Sequence, residues 1–189
     1  MVSGRLKRET RLIRRAYRYI RCRNRRRLFD LLTRNPELLH LFDEGRTLLY
    51  RACERREYDY EIFEWMLRHG ANPDQVEAGD NTPLIDAALV NDVRLARLLL
   101  DSGADIEKSN FMFETPLGFA CANDAIDVVR LLCERGADVN GTEGRGHSYL
   151  YGVQCAKQAE IESILISHGA KVIHEEPKLK VEIEEESVT

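Results

Sequence analysis

The chain has 189 residues, 43% hydrophobic and 32% charged, enough for one domain with a sizeable core. No apolar run approaches the 18 or so residues of a membrane span. The five cysteines, odd in number and without a C-x-x-C, argue against a disulfide framework or a zinc site and for a reducing compartment.

Charge is strongly polarised along the chain. Residues 1–27 hold twelve Lys/Arg against one acid, Glu9, a net +11, which leaves −15 on the rest of a chain whose total is −4. The first ten residues form a basic arm without the apolar stretch of a secretory signal. A first helix is predicted over roughly residues 11–22, where Leu12, Ile13, Ala16, Tyr17 and Ile20 follow 3–4 spacing and arginines take the other side. Leu28, Leu31 and Leu32 fit a second helix, followed by Asn35-Pro36-Glu37-Leu38-Leu39. Two readings of the arginines, including the run "RCRNRRR", stay open. In one, they are the solvated outer face of a capping helix, partly neutralised by the acidic body. In the other, Arg14, Arg18, Arg21, Arg25 and Arg26 contact an anionic partner: nucleic acid, the nuclear import machinery or an anionic membrane. A mitochondrial presequence fits less well, because the segment holds one serine and runs straight into the repeating part of the chain.

From here a period of 33 residues governs the chain. Gly70-Ala71-Asn72, Gly103-Ala104-Asp105, Gly136-Ala137-Asp138 and Gly169-Ala170-Lys171 place glycines 33 apart. The helix starts Thr47-Leu48-Leu49, Thr82-Pro83-Leu84, Thr115-Pro116-Leu117 and Ser148-Tyr149-Leu150 keep step, with spacings of 35, 33 and 33. The two extra residues fall between Cys53 and Phe63. In each unit Thr or Ser caps a short helix, and Pro suits its first position. Small pairs such as Ala87/Ala88 and Ala120/Cys121 let neighbouring helices approach. A second helix comes next, with apolar spacing such as Val93, Ala96, Leu98, Leu99, and the glycine ends it with positive φ. One such unit cannot bury its own apolar face, so units must stack.

The text "NTPLIDAALVNDVRLARLLLDSGADIE" and "ETPLGFACANDAIDVVRLLCERGADVN" resembles the ankyrin repeat, and residues 45–173 carry the pattern. The resemblance implies an all-α repeat fold: a solenoid of stacked helix-turn-helix units with β-hairpin fingers projecting from one side. The implied organisation is a degenerate Arg-rich capping repeat (11–44), repeats at 45–78, 79–111 and 112–144, a C-terminal capping repeat (145–174) and an acidic tail (175–189). Terminal repeats are often atypical, and the last unit has Tyr149, Val153 and Gln154 where the pattern wants Pro and the small pair. In this family the concave face of fingers and inner helices usually binds other proteins. The matching finger positions are Val76, Ala78, Asn81, Ser109, Phe111, Met112, Glu114, Arg145 and His147. The inner-helix positions are Leu89, Val90, Ala122, Asn123 and Cys155.

Most finger tips are small and polar, but "NFMFE" at 110–114 carries Phe111, Met112 and Phe113. In an extended finger such residues alternate in direction, so at least one is expected at the surface. The family favours glycine two positions before the helix-capping Thr, where this chain has Gly45, Asp80, Phe113 and Gly146. No phosphate-loop, nucleophile-elbow or metalloprotease motif occurs. The histidines are scattered, and His69 and His168 sit where a cation favours a helix C-terminus. No enzymatic role, cofactor or metal is expected. The tail alternates Leu179, Val181 and Ile183 before a run of acids, which reads as charged and disordered. The expected function is a cytoplasmic or nuclear adaptor or inhibitor that binds a protein partner, one of basic character given the acidic body. Its rival is a nuclear or nucleic-acid-associated protein whose anionic partner meets residues 1–27.

Overall fold

The computed structural model describes residues 2–41, 47–53, 59–75, 81–142 and 146–171, with backbone alone for 2–6 and 53. Within these lie helices α1 (Val2–Arg21), α2 (Arg25–Arg34), α3 (Leu48–Cys53), α4 (Tyr60–Arg68), α5 (Pro83–Leu89), α6 (Val93–Asp101), α7 (Pro116–Ala122), α8 (Ile126–Glu134), α9 (Tyr149–Cys155) and α10 (Ala159–Ser167). The odd-numbered helices pack in sequence as one layer, and α4, α6, α8 and α10 as a second layer behind them. Each pair is one unit of the solenoid.

The predicted caps define the starts of the inner helices. Thr47, Thr82, Thr115 and Ser148 each accept, on the side-chain oxygen, the backbone N–H three residues on, all at 3.2 Å. The helix stops depend on the Gly-Ala pairs. Gly70, Gly103, Gly136 and Gly169 have φ of +92°, +86°, +86° and +92°. The following alanine then donates back to the carbonyl five residues earlier, as Ala71 does to Met66, Ala104 to Leu99, Ala137 to Leu132 and Ala170 to Leu165, each at 3.0 Å. His69 and His168 end their helices as expected. Their Nδ1 atoms donate to the carbonyls of Trp65 and Ile164 at 2.7 and 2.9 Å.

Units are joined by apolar burial and by a repeated polar staple. Leu84, Leu95, Leu99, Leu117, Val128, Leu132 and Leu165 are fully buried in one continuous core that also takes in Leu28, Leu32 and Phe63. Just past each Gly-Ala pair, a side chain of one unit accepts a backbone N–H of the next: Asp74 from Asp105 at 3.0 Å, Glu107 from Asp138 at 2.8 Å and Asn140 from Lys171 at 2.9 Å. A spacing of 31 residues in each case shows that one local geometry is reused.

Two features differ from the sequence reading. The first helix begins at Val2 rather than near residue 11, so the basic arm continues α1 backwards; its Lys, Arg and Leu residues are good helix formers. The fingers, expected as hairpins, contain among the described residues a lone antiparallel bridge, Thr142 with Ser148, and otherwise turns. Of the stretch between Cys53 and Phe63 that holds the two-residue insertion, 54–58 fall outside the described residues, as does the whole tail, 175–189.

Candidate protein-interaction surface

The middle finger is organised by Asn110, which is 6% exposed although it sits at a finger tip. Its Oδ1 accepts the N–H groups of Met112 at 3.0 Å and Glu114 at 3.1 Å. Its Nδ2 donates to Asn81 Oδ1 of the preceding finger at 2.9 Å. Its own N–H donates to the Glu114 carbonyl at 3.1 Å, and its carbonyl accepts from Phe113 at 3.1 Å. One buried amide therefore closes the turn and ties it to its neighbour, and Asn suits this role because a single side chain both donates and accepts.

The three apolar residues ride on this closed turn. Phe111, Met112 and Phe113 are 63%, 46% and 78% exposed. Alternation along an extended strand would have buried at least one of them; the tight turn lets all three face outwards. Phe113 has φ of +60°, in the left-handed region that costs an L residue about 1–2 kcal/mol. Gly146, at the same place in the next unit, has φ of +82°. The backbone thus demands a glycine-like conformation at both places, and at one of them the chain carries a bulky aromatic.

Leu89 and Val90, also selected from the sequence, lie exposed at the C-terminal end of α5, about 10 Å of helix from the finger that leads into it. Asn123 and Ala122 occupy the matching exposed end of α7, with Asn123 Nδ2 donating to the Phe119 carbonyl at 2.8 Å. Ser109 and Cys155 are exposed, Glu114 and Asn81 half-buried. His147 is half-buried and stacks on Tyr151 with ring centroids 5.1 Å apart. Val76, Ala78 and Arg145, with the finger positions Gly45 and Asp80, lie outside the described residues.

Two exposed aromatics fall outside the sequence-selected contact positions. Phe113 is the most exposed of the tip residues, and its signal in the sequence is that it occupies a position where glycine is favoured. Tyr151 is exposed beside His147; no periodic signal distinguishes it from a core tyrosine, because α9 departs from the repeat pattern there.

Of the five arginines, Arg14 and Arg18 line an open cleft on α1, and Arg21 lines a cavity of about 120 Å³ between α1, α3 and α4. Arg25 is committed internally: its Nε donates to Asp59 at 2.8 Å and its guanidinium also pairs with Glu61. These two carboxylates hold the Arg25 pKa above its ordinary value. Arg26 is exposed.

Cys121 is buried in the core. Burial pushes the Cys133 thiol up to about 11, so the reactive thiolate is scarce at neutral pH. No group of three His, Cys, Asp or Glu side chains among the described residues is placed to hold a metal ion. No helix among them is long and apolar enough to cross a membrane.

No curated protein matches the chain. The family model for ankyrin repeats matches it in three copies, over residues 19–110 and 58–143. The glycine-ended helix pairs, the stapled units and this match over most of the molecule agree: the chain belongs to the ankyrin-repeat family, whose members are generally non-enzymatic protein-interaction modules.

Proposed function

We propose that this protein is a non-enzymatic adaptor or inhibitor that grips one protein partner through its middle finger, with Phe111, Met112 and Phe113 as the apolar anchors. One observation carries this reading: three adjacent bulky apolar side chains are exposed together on a turn held by a buried asparagine, and one of them occupies a conformation suited to glycine. A strained position in a well-determined setting is where function is first sought. Exposed aromatics beside an adaptable Met suit a partner's apolar pocket. Leu89, Val90 and Asn123 extend the surface along the inner helices, and Ser109, Glu114, Asn81, His147 and Tyr151 supply polar and aromatic neighbours. The −15 carried outside residues 1–27 favours a basic partner and adds salt dependence to the association rate. The odd cysteine count suits a cytoplasmic or nuclear setting.

The test is affinity purification with mass spectrometry, using the full chain beside Phe111→Ala/Met112→Ala. A protein recovered with the wild type and lost with the double variant, at unchanged melting temperature, supports the reading. Equal recovery with both chains removes the finger from the interface and the proposal with it.

A further inference from the structure

A second surface lies on the other side of the cap. Where α1 passes the start of α2, a cleft of about 830 Å³ is lined by Lys7, Arg11, Arg14, Arg15, Arg18 and Arg27, and among the described residues no carboxylate lines it. Its origin is the sequence periodicity. Helix α1 buries Ile13, Ala16 and Ile20, so positions 7, 11, 14 and 18, spaced i, i+4, i+7 and i+11, share another face. Those four cations form a track about 16 Å long. All are exposed. Among the described residues Arg11, Arg14 and Arg18 make no ion pair, whereas Arg25 is held by Asp59 and Glu61. Like charges at i,i+4 repel, and a bound anion would relieve that repulsion.

We infer that this cleft binds the phosphate backbone of a nucleic acid. Five of the six cations are arginines, whose planar fork takes two phosphate oxygens at once. A linear track suits a ligand with repeating charge rather than a single ion. None of the large exposed hydrophobics among the described residues lies on α1 or α2, so an acidic protein would find no apolar anchor there. A membrane-surface helix turns its apolar face to lipid, but that face of α1 is buried in the core it shares with α2 and α3. Tyr19 borders the cleft, its hydroxyl accepting from Arg15 Nε at 2.8 Å, and offers a ring on which a base can stack. The acidic remainder of the chain repels the polymer, which confines contact to the cap and to about five phosphates. This site is independent of the finger surface.

The full chain is titrated against labelled 20-mers of single-stranded RNA, single-stranded DNA and duplex DNA, by fluorescence anisotropy between about 50 and 200 mM salt. The expected slope of log K against log salt is about −4.5 on duplex and about −3.5 on single strands. Comparing the three arms identifies the preferred polymer. Arg14→Ala/Arg18→Ala should reduce the slope by about 2 at unchanged melting temperature, Arg14→Lys/Arg18→Lys should keep most of it, and Phe111→Ala/Met112→Ala should leave it as it was. An unaltered slope in the alanine variant overturns the inference. So does binding of polyglutamate or phosphatidylserine vesicles as tight as that of all three nucleic acids at equal salt.

Discussion

The units that carry α7 and α9 share one backbone step and send their large residues in opposite directions. In both, a left-handed residue lies two positions before a hydroxyl cap, Phe113 before Thr115 and Gly146 before Ser148. In the middle finger the bulky side chains Phe111, Met112 and Phe113 face outwards. In the last unit the bulky residue is Tyr149, the first of α9, which is 1% exposed with its hydroxyl 2.7 Å from Thr115 Oγ1. The difference lies in the space beside each. A Cβ on Gly118 would sit 2.7 Å from Tyr149 Cε1, and one on Gly141 would sit 2.6 Å from its hydroxyl. Two absent side chains make the slot that Tyr149 fills, and it replaces the proline of the regular units. Phe111, Met112 and Phe113 fill no such slot among the described residues. The same left-handed step before a hydroxyl cap is therefore followed in one unit by a tyrosine buried between units and preceded in the other by three exposed apolar residues.

Substitutions can break each half of that contrast. The largest effect is expected for Tyr149→Ala, which empties the slot and should cost about 3–5 kcal/mol. Because repeats contact only their neighbours, the loss should concentrate in α9 and α10 and be seen as accelerated hydrogen exchange there, with α5 and α6 still protected. Uniform loss along the chain would mean that the last unit is not separately locked.

Asn110→Ala comes next. It leaves the Met112 and Glu114 N–H groups without their acceptor and should destabilise by about 1–3 kcal/mol. Amide exchange at those two residues reports it directly, and partner recovery should fall although every apolar anchor remains.

Alkaline pH gives a graded version of the first test. Burial pushes the Tyr149 phenol above its ordinary value of 10.0, with the bond to Thr115 opposing. A raised acid contributes stability that is complete below the unfolded value and lost as pH rises through the folded one. Urea midpoints should therefore fall above about pH 10, and Tyr149→Phe should flatten that part of the curve. An unchanged curve would place the alkaline loss elsewhere, for example at Tyr60, whose phenol is also raised, first by burial and then by its bond to Asp92.

The smallest stability effect belongs to Phe113→Gly. Relief of left-handed strain, about 1–2 kcal/mol, is partly offset by the freedom glycine gains in the unfolded chain, about 0.5–1 kcal/mol. Melting should rise slightly while partner capture weakens. A large drop in stability would show that the ring packs on the fold instead of facing a partner.

The sequence by itself determined the architecture. Thr-Pro-Leu starts, Gly-Ala stops and the 33-residue period are local instructions, each satisfied by hydrogen bonds within a few residues, so they were legible before any packing was known. The staple acceptors Asp74, Glu107 and Asn140 stand two residues past the third position of each Gly-Ala-x triplet, and their partners one unit away were not legible from it. Only the tertiary structure decided which bulky residues go inside. That choice depends on space shared between units: Gly118 and Gly141 admit Tyr149, Asn110 reaches Asn81, and Arg25 turns to Asp59 while Arg14 and Arg18 stay on an open cleft. Hydrophobicity along a chain records how much a residue gains by leaving water, but not whether a neighbour one repeat away has left room for it.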